Sequence, residues 1–413
     1  MVQLSFVNFK KGSYIIVEGK SDVDRFYIIQ QGKVQIVKET EIVEEETGNL
    51  LNPGDFLGVV SCMSNHSQID TAIALTDVVL ISIPYSQFPQ LIEKNNSIAM
   101  KIIYFFSRKM RHLDERLTQI TLKKNVEMDV AHLFTIGEYY LKMSKFDLAL
   151  YAYYHYMKEN PKGGFAQAAQ KRFMDIKAMG VKVPVEMLEP KTDQMVRSYE
   201  KEAMIFCECQ SGGELYIIQK GHVKITKIVD NNEVLLAVLK EGDMFGEMAL
   251  LEDKPRSASA IVMEDGCQLL AVNRQNFTQM VATQPQLVAR LTTTLADRIW
   301  MLYRQLANTL IPDNLEKMYD MLALQMEKAR VTPERGKQYS FNFGPVELAN
   351  MCGISKETVA TAVDTFLREP IVRYDGSKIF ITDQVELVKQ VAYLRKMRQI
   401  ETSRKEKAES RPW

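Results

Sequence analysis

Five cysteines and five histidines in 413 residues leave little material for disulfide or metal chemistry. Cys62, Cys207, Cys209, Cys267 and Cys352 are odd in number and hold no CxxC pair. That argues against a zinc ribbon, a redox motif or a disulfide framework and leaves buried free thiols as the expectation. The histidines show no HxxxH spacing, so no metal site is expected. Net charge is also missing: 52 basic residues balance 52 acidic ones, so no global field announces a nucleic-acid partner and any basic surface must be local. No apolar run approaches the roughly 18 to 20 residues of a membrane helix, and the N-terminus lacks the apolar core of a signal peptide. The expectation is a cytoplasmic protein without membrane contact. No nucleophile–base pair or Walker loop stands out, which argues against an enzyme.

What is present is ordinary globular material, 46% hydrophobic and 25% charged, in a chain longer than one core usually serves. An internal repeat organises it. Phe26–Val37 (FYIIQQGKVQIV) recurs as Leu215–Thr226 (LYIIQKGHVKIT), Leu51–Gly58 (LNPGDFLG) as Leu239–Gly246 (LKEGDMFG), and Thr71–Ile73 as Ser259–Ile261. Within each copy, short β-branched and aromatic runs alternate with Gly, Asn, Asp and Pro, as in a small antiparallel β-roll or jelly roll. A helix closes each copy, the first over 96–122 and the second over 286–309. Their apolar stripes serve as core, and in the second helix equally as a dimer seam.

The expected fold is therefore α+β and multidomain. A first β-roll domain covers 1–122, a helical segment 123–182, a second β-roll domain with its long helix 183–309, a C-terminal domain 310–400, and a charged tail 401–413. Leu133, Gly137, Tyr140, Ala149, Tyr153 and Pro161 in the helical segment fall where a tetratricopeptide repeat places its residues, and the segment resembles one such repeat. A lone repeat cannot bury its own face, so it must pack on a neighbouring domain or a partner.

The most specific stretch is FGEMALL at 245–251 followed by PRSASA at 255–260. Gly246 lets backbone approach a ligand without a Cβ, and the amides of Glu247, Met248 and Ala249 at the helix start suit a compact anion. Arg256 supplies a planar cation that can fork onto phosphate oxygens, and Ser257 adds a hydroxyl beside the small Ala258. An ordinary surface ion pair between Glu247 and Arg256 would explain neither the glycine nor the small residues. The pattern resembles the phosphate cassette of cyclic-nucleotide-binding domains over about 183–309. The resemblance implies an allosteric cyclic nucleotide, cyclic AMP ahead of cyclic GMP, with Glu247 on the ribose hydroxyl and Arg298 and Tyr303 on the base side. Leu302 departs from the hydroxyl-bearing pattern there, and Tyr303 or Trp300 could stack on the base instead. In the first copy Val59 stands for Glu247 and Gln68 for Arg256, so that copy is expected not to bind the nucleotide.

From Gly344 the chain reads as a helix-turn-helix. Pro345 opens one helix, Gly353 permits the turn, and Ser355 caps a second helix that turns Val359, Val363 and Phe366 inward. Ser355, Lys356, Glu357, Thr358 and Thr361 then stand where a recognition helix meets base edges, and Lys378 lies in a hairpin turning at Asp375–Gly376. The SKETV core resembles the recognition helix of Crp/Fnr-type transcription regulators, and the hairpin the wing of a winged helix. Lys356 replaces the family's Arg, and Thr361 stands where a second Arg would read guanine, so the family's usual operator is not implied. From Arg330 onward 15 basic residues meet 11 acidic ones, a local positive excess. The resemblance implies double-stranded promoter DNA as partner, a homodimer on a palindromic site, and RNA polymerase as a further contact. The alternative is a non-enzymatic scaffold that binds cyclic nucleotide and uses the helical segment for protein partners.

Overall fold

The structure is a computed structural model that describes residues 5–37, 49–122, 129–181, 195–229, 232–355 and 357–409. The beginnings of the expected helical segment at 123–128 and of the second β-roll domain at 183–194, Lys356, and the last four tail residues lie outside the described residues. The chain divides into two compact units, one ending at Ile299 and one beginning at Trp300. No helix among the described residues is long and apolar enough to cross a membrane.

The first unit opens with β1 (Ser5–Phe9), β2 (Tyr14–Ile16), β3 (Arg25–Gln31), β4 (Val34–Val37), β5 (Leu50–Leu51), β6 (Phe56–Leu57), α1 (Val59–Ser64), β7 (Thr71–Ala74), β8 (Val78–Pro84), α2 (Phe88–Lys94) and α3 (Asn96–Leu122). Its strands form two antiparallel four-stranded sheets, in the orders β1-β8-β3-β6 and β2-β7-β4-β5. The period-2 pattern is legible in β4, which buries Val34 and Ile36 and exposes Gln35 and Val37. After a helical segment come β9 (Val196–Tyr199), β10 (Met204–Phe206), β11 (Glu214–Lys220), β12 (Val223–Val229), β13 (Asn232–Leu239), β14 (Met244–Phe245), α7 (Glu247–Glu252), β15 (Ser259–Val262), β16 (Cys267–Asn273), α8 (Arg274–Thr283) and α9 (Pro285–Thr309). Their sheets run β9-β16-β11-β14 and β10-β15-β12-β13, the same topology strand for strand. The sequence repeat is therefore a repeat of the β-roll. Glycines at φ of 67° to 96° hold its turns in register, Gly32 matching Gly221, Gly54 matching Gly242 and Gly58 matching Gly246.

Between the rolls stand α4 (Ala131–Lys142), α5 (Phe146–Glu159) and α6 (Ala166–Ala178). They do not close a core alone. Leu133, Tyr140, Tyr153 and Tyr156 share one apolar cluster with Met204, Cys207, Ile228 and Ile261 of the second roll. All five cysteines are free and buried.

The second unit takes the end of α9 and adds α10 (Asn314–Lys328), β17 (Tyr339–Phe341), α11 (Pro345–Met351), α12 (Val359–Leu367), β18 (Val372–Tyr374), β19 (Ile379–Ile381) and α13 (Gln384–Glu409). The helix expected from Ser355 is assigned only from Val359. The chain turns first: the amides of Thr358 and Val359 both reach the Ser355 carbonyl, and the Thr358 hydroxyl contacts Ser355 as well. The expected tail, in turn, is helical through Glu409 as the continuation of α13.

Gly137 gives a test of the packing between α4 and α5. A Cβ there would fall 2.5 to 2.9 Å from the Tyr153 ring. That ring is buried and anchored by its hydroxyl, which donates to Glu138 at 2.6 Å. In a helix interior Gly→Ala normally stabilises by roughly 0.5–1 kcal/mol, whereas overpacking costs about 1–3 kcal/mol. Overpacking wins here. Gly137→Ala lowers the urea midpoint of unfolding, and a raised midpoint would show that α4 and α5 are not in this contact.

Candidate functional site

The cassette is built on the turn between β14 and β15. Gly246 sits at φ 78°, and α7 starts directly after it. The next fixed point is Arg256, whose backbone is tied to the β10–β11 turn: its amide donates to the Gln210 carbonyl at 2.8 Å, and its carbonyl accepts from the Cys209 amide at 2.9 Å. The side chain turns inward and is 3% exposed. Nη1 donates to the Gly246 carbonyl at 2.6 Å and Nη2 to the Glu214 carbonyl at 2.7 Å, while the guanidinium lies 4.1 Å over the Phe206 ring. A Cβ on Gly212 or Gly246 would collide with it, so both glycines belong to its cradle.

Two carbonyls and a ring are incomplete compensation for a buried cation. Among the described residues no carboxylate oxygen lies within ion-pair distance of Arg256, and Nε is buried without a hydrogen-bond partner. Burial presses the guanidinium below its usual pKa. A buried cation left so costs several kcal/mol, which a compact anion would offset. The cradle thus fits a phosphate by charge, spare donor and absence of Cβ atoms.

Glu247 is buried, 1% exposed, and its Oε1 lies 3.3 Å from Nη1 of Arg298 on α9, which also donates to the Met244 carbonyl. Ala249, Ser257 and Ala258 are buried and Met248 half-buried around the same turn. The structure brings Gly246, Glu247, Met248, Ala249, Arg256, Ser257, Ala258 and Arg298 together in the first unit. Tyr303, 3% exposed, and Trp300 belong to the second.

The first roll repeats the frame without the charges. Gly58 has φ 67° and leads into α1, Val59 is buried where Glu247 stands, and a Cβ on Gly58 would lie 3.4 Å from the Gln68 amide. Gln68 Nε2 donates to the Asp22 carbonyl at 3.1 Å, and the amide is 4% exposed. A neutral amide in this position offers an anion no charge.

In the second unit, α11 opens on Pro345, with the Glu347 carboxylate accepting from the Gly344 amide at 2.9 Å. Gly353 at φ 67° breaks the chain before α12. Ala362 and Phe366 are buried and Val359 and Val363 half-buried, while Ser355, Glu357, Thr358 and Thr361 are exposed. Asp375 closes the β18–β19 turn by accepting from the amides of Ser377 and Lys378 at 2.8 and 2.7 Å, with Lys378 exposed beside Gly376. At the root of the unit, buried Asp320 on α10 takes Arg304 and Asn308 from the end of α9, each at 3.1 Å, and Arg395 from α13 at 2.9 Å.

The family model for the cyclic nucleotide-binding domain matches residues 6–95 and 196–284, one match on each roll. The chain is 29% identical over 187 residues to the CRP-like cAMP-activated global transcriptional regulator of Mycobacterium tuberculosis, covering 45% of this chain and 83% of that one. It is 28% identical to the cyclic AMP receptor protein of Thermus thermophilus, covering 48% and 88%. The solved Thermus thermophilus catabolite activator protein aligns over 48% of this chain and 90% of its own at 27% identity, with a TM-score of 0.26. Each of the two rolls thus matches the cyclic nucleotide-binding domain, and the chain is similar to Crp-type regulators over somewhat less than half of its length.

Sequence reasoning missed what surrounds the cassette. Tyr151 and Glu159 of α5 meet the β10–β11 turn: the Tyr151 hydroxyl donates to the Ile205 carbonyl at 3.1 Å, and Glu159 accepts from the amide and hydroxyl of Ser211, both at 2.8 Å. On the same turn Glu208 is fully buried. Its amide donates to the Ser259 hydroxyl, and its carboxylate stands 3.4 Å from the Ile228 amide and 3.8 Å from His132 Nε2. Lys227 comes near but lies 3.5 Å from Asp114 of α3. No spacing in the sequence marks these contacts: those of Tyr151, Glu159, His132 and Asp114 join separate domains, and those of Glu208 with Ser259 and Ile228 join distant segments of one roll.

Burial pushes the Glu208 carboxyl up to about 7, against the pull of Lys227 and the Ile228 amide and helped by Asp114, and burial also holds His132 below its usual value. A carboxyl with a raised folded-state pKa contributes stability below its unfolded value, near 4.5, that is lost as pH rises through about 7. Urea unfolding of the full chain at pH 5.5 and pH 8 measures this. Glu208→Gln removes about 1–3 kcal/mol of the loss between those pH values. An unchanged pH dependence would place the Glu208 carboxylate in contact with water.

Proposed function

We propose that the chain is a transcription regulator whose second roll binds a cyclic nucleotide, cyclic AMP ahead of cyclic GMP, and thereby controls binding of the C-terminal helix pair to double-stranded promoter DNA. The observation that carries the reading is the buried, under-satisfied Arg256 in its glycine cradle, beside its uncharged counterpart Gln68 in the first roll. On this reading the phosphate takes the Arg256 guanidinium and the Ser257 hydroxyl, Gly246 and the amides after it admit the phosphate, and Met248, Ala249 and Ala258 leave it room. Glu247 accepts from a ribose hydroxyl and gives up Arg298 to do so. Tyr303 covers the base. The first roll, with Val59 and Gln68, takes no nucleotide.

Arg298 sits on α9, and α9 runs on to Arg304 and Asn308, which hold Asp320 of the C-terminal unit. Exchange of Arg298 for ribose at Glu247 is the local event, and α9 is the element that carries it. The DNA contacts fall to Ser355, Lys356, Glu357, Thr358 and Thr361 at the start of the second helix and to Lys378 at the hairpin, the wing of a winged helix. Since the described residues hold one such helix per chain, a palindromic operator calls for a homodimer, with RNA polymerase as a further partner. The helical segment serves as a tetratricopeptide-like brace. Such a regulator acts in the cytoplasm and needs no catalytic group.

The test is DNA affinity with and without ligand. Duplexes are first selected in vitro from a random pool by the protein with saturating cyclic AMP, and then titrated by fluorescence anisotropy at fixed salt, since phosphate contacts make affinity salt-dependent. Cyclic AMP tightens binding by about tenfold or more in the wild type, a coupling of roughly 1–3 kcal/mol, and leaves Arg256→Ala unchanged. Equal affinity with and without either nucleotide contradicts the coupling.

A further inference from the structure

Ser107 and Arg111 stand one turn apart on α3, the closing helix of the first roll. Both reach the far end of the cassette in the second roll. The Ser107 hydroxyl donates to Glu252 Oε1 at 2.8 Å, Arg111 Nε donates to Glu252 Oε2 at 2.9 Å, and Arg111 Nη1 donates to the Pro255 carbonyl at 3.2 Å. Glu252 ends α7, whose first residue is Glu247, and Pro255 immediately precedes Arg256. One guanidinium from the first roll therefore holds both ends of the turn that joins the ribose-side carboxylate to the phosphate-side cation. The Arg111 and Glu252 side chains are 3% and 5% exposed, so the pair is removed from solvent screening, and Lys254 approaches the same carboxylate at 3.6 Å only from the exposed side.

A buried ion pair is weak evidence for stability, because apolar residues of similar volume would serve as well. What it supplies that apolar packing does not is a fixed direction, two charge-assisted donors aimed at one carboxylate and one carbonyl. We propose that Arg111 is a positioning residue for the second cassette: the first roll, though it lacks the charged ligands, sets the geometry in which Glu247 and Arg256 meet a nucleotide. The affinity of one roll is thereby controlled through the helix of the other. This rests on the nucleotide reading only in its affinity arm.

The experiment compares full-length wild type, Arg111→Gln and Arg111→Lys by hydrogen–deuterium exchange without ligand and by calorimetric titration with cyclic AMP. Amides of 247–257 exchange about tenfold faster in Arg111→Gln and at an intermediate rate in Arg111→Lys, while those of β11 and β16 are unchanged. Cyclic AMP affinity falls by about tenfold in Arg111→Gln at unchanged stoichiometry and recovers in part in Arg111→Lys. Unchanged exchange overturns the proposal, and so does faster exchange with wild-type affinity, which would make Arg111 a structural brace alone. Should the wild type take up no nucleotide, the ligand reading fails and the exchange rates alone decide the clamp. Should Arg111→Gln not fold, Ser107→Ala, which removes a single donor to Glu252, is read in the same way with an effect of about two- to threefold.

Discussion

The second roll is organised around a cation that its surroundings do not neutralise. Arg256 is buried against Phe206 and donates to two backbone carbonyls, with Nε left without a partner. Glycine at 212 and 246 follows from its volume, and the short α7 follows from the left-handed turn at Gly246. The other buried cations among the described residues meet carboxylates, as Arg197 meets Glu214 at 2.7 Å and Arg111 meets Glu252 at 2.9 Å. Arg256 is left with two carbonyls and a ring, and that difference is what the proposed anion site rests on.

Much of the fold is legible in the chain because the β-roll makes backbone demands that only certain residues meet. Gly32, Gly54 and Gly58 recur at Gly221, Gly242 and Gly246, all at positive φ, and even the left-handed residue after each short helix is matched, Asn65 by Asp253. The residues between them carry the period-2 pattern. The cassette is legible for a related reason: Gly246, Glu247 and Arg256 fall within one short stretch of sequence, and comparison with Val59 and Gln68 comes from inside the same chain.

The rest is carried by contacts that have no period and no fixed spacing. Arg111 and Glu252 are 141 residues apart, and nothing in the apolar stripe of α3 marks Arg111 as more than a solvated charge. The pairing of Glu247 with Arg298 was equally hidden, since the family pattern places both toward a ligand and not toward each other. At α12 the local chemistry misled: Ser355 is a good capping residue, but Thr358 competes for the same groups, and the helix is assigned from Val359. The insert was legible as helices needing a partner surface, and the surface is the back of the cassette. The ligand turn is thus enclosed by the second roll itself, by α3 of the first roll, and by Tyr151 and Glu159 of the insert. Changes in either neighbour have a direct physical route to the cassette.

On the proposed reading, two rolls of one topology differ in function because only one holds a cation for phosphate. Calorimetric titration of the full chain with cyclic AMP and cyclic GMP tests it most directly, with stoichiometry as the deciding quantity. About one nucleotide binds per chain, and none in Arg256→Ala. Two nucleotides per chain, or binding retained in Arg256→Ala, would contradict it.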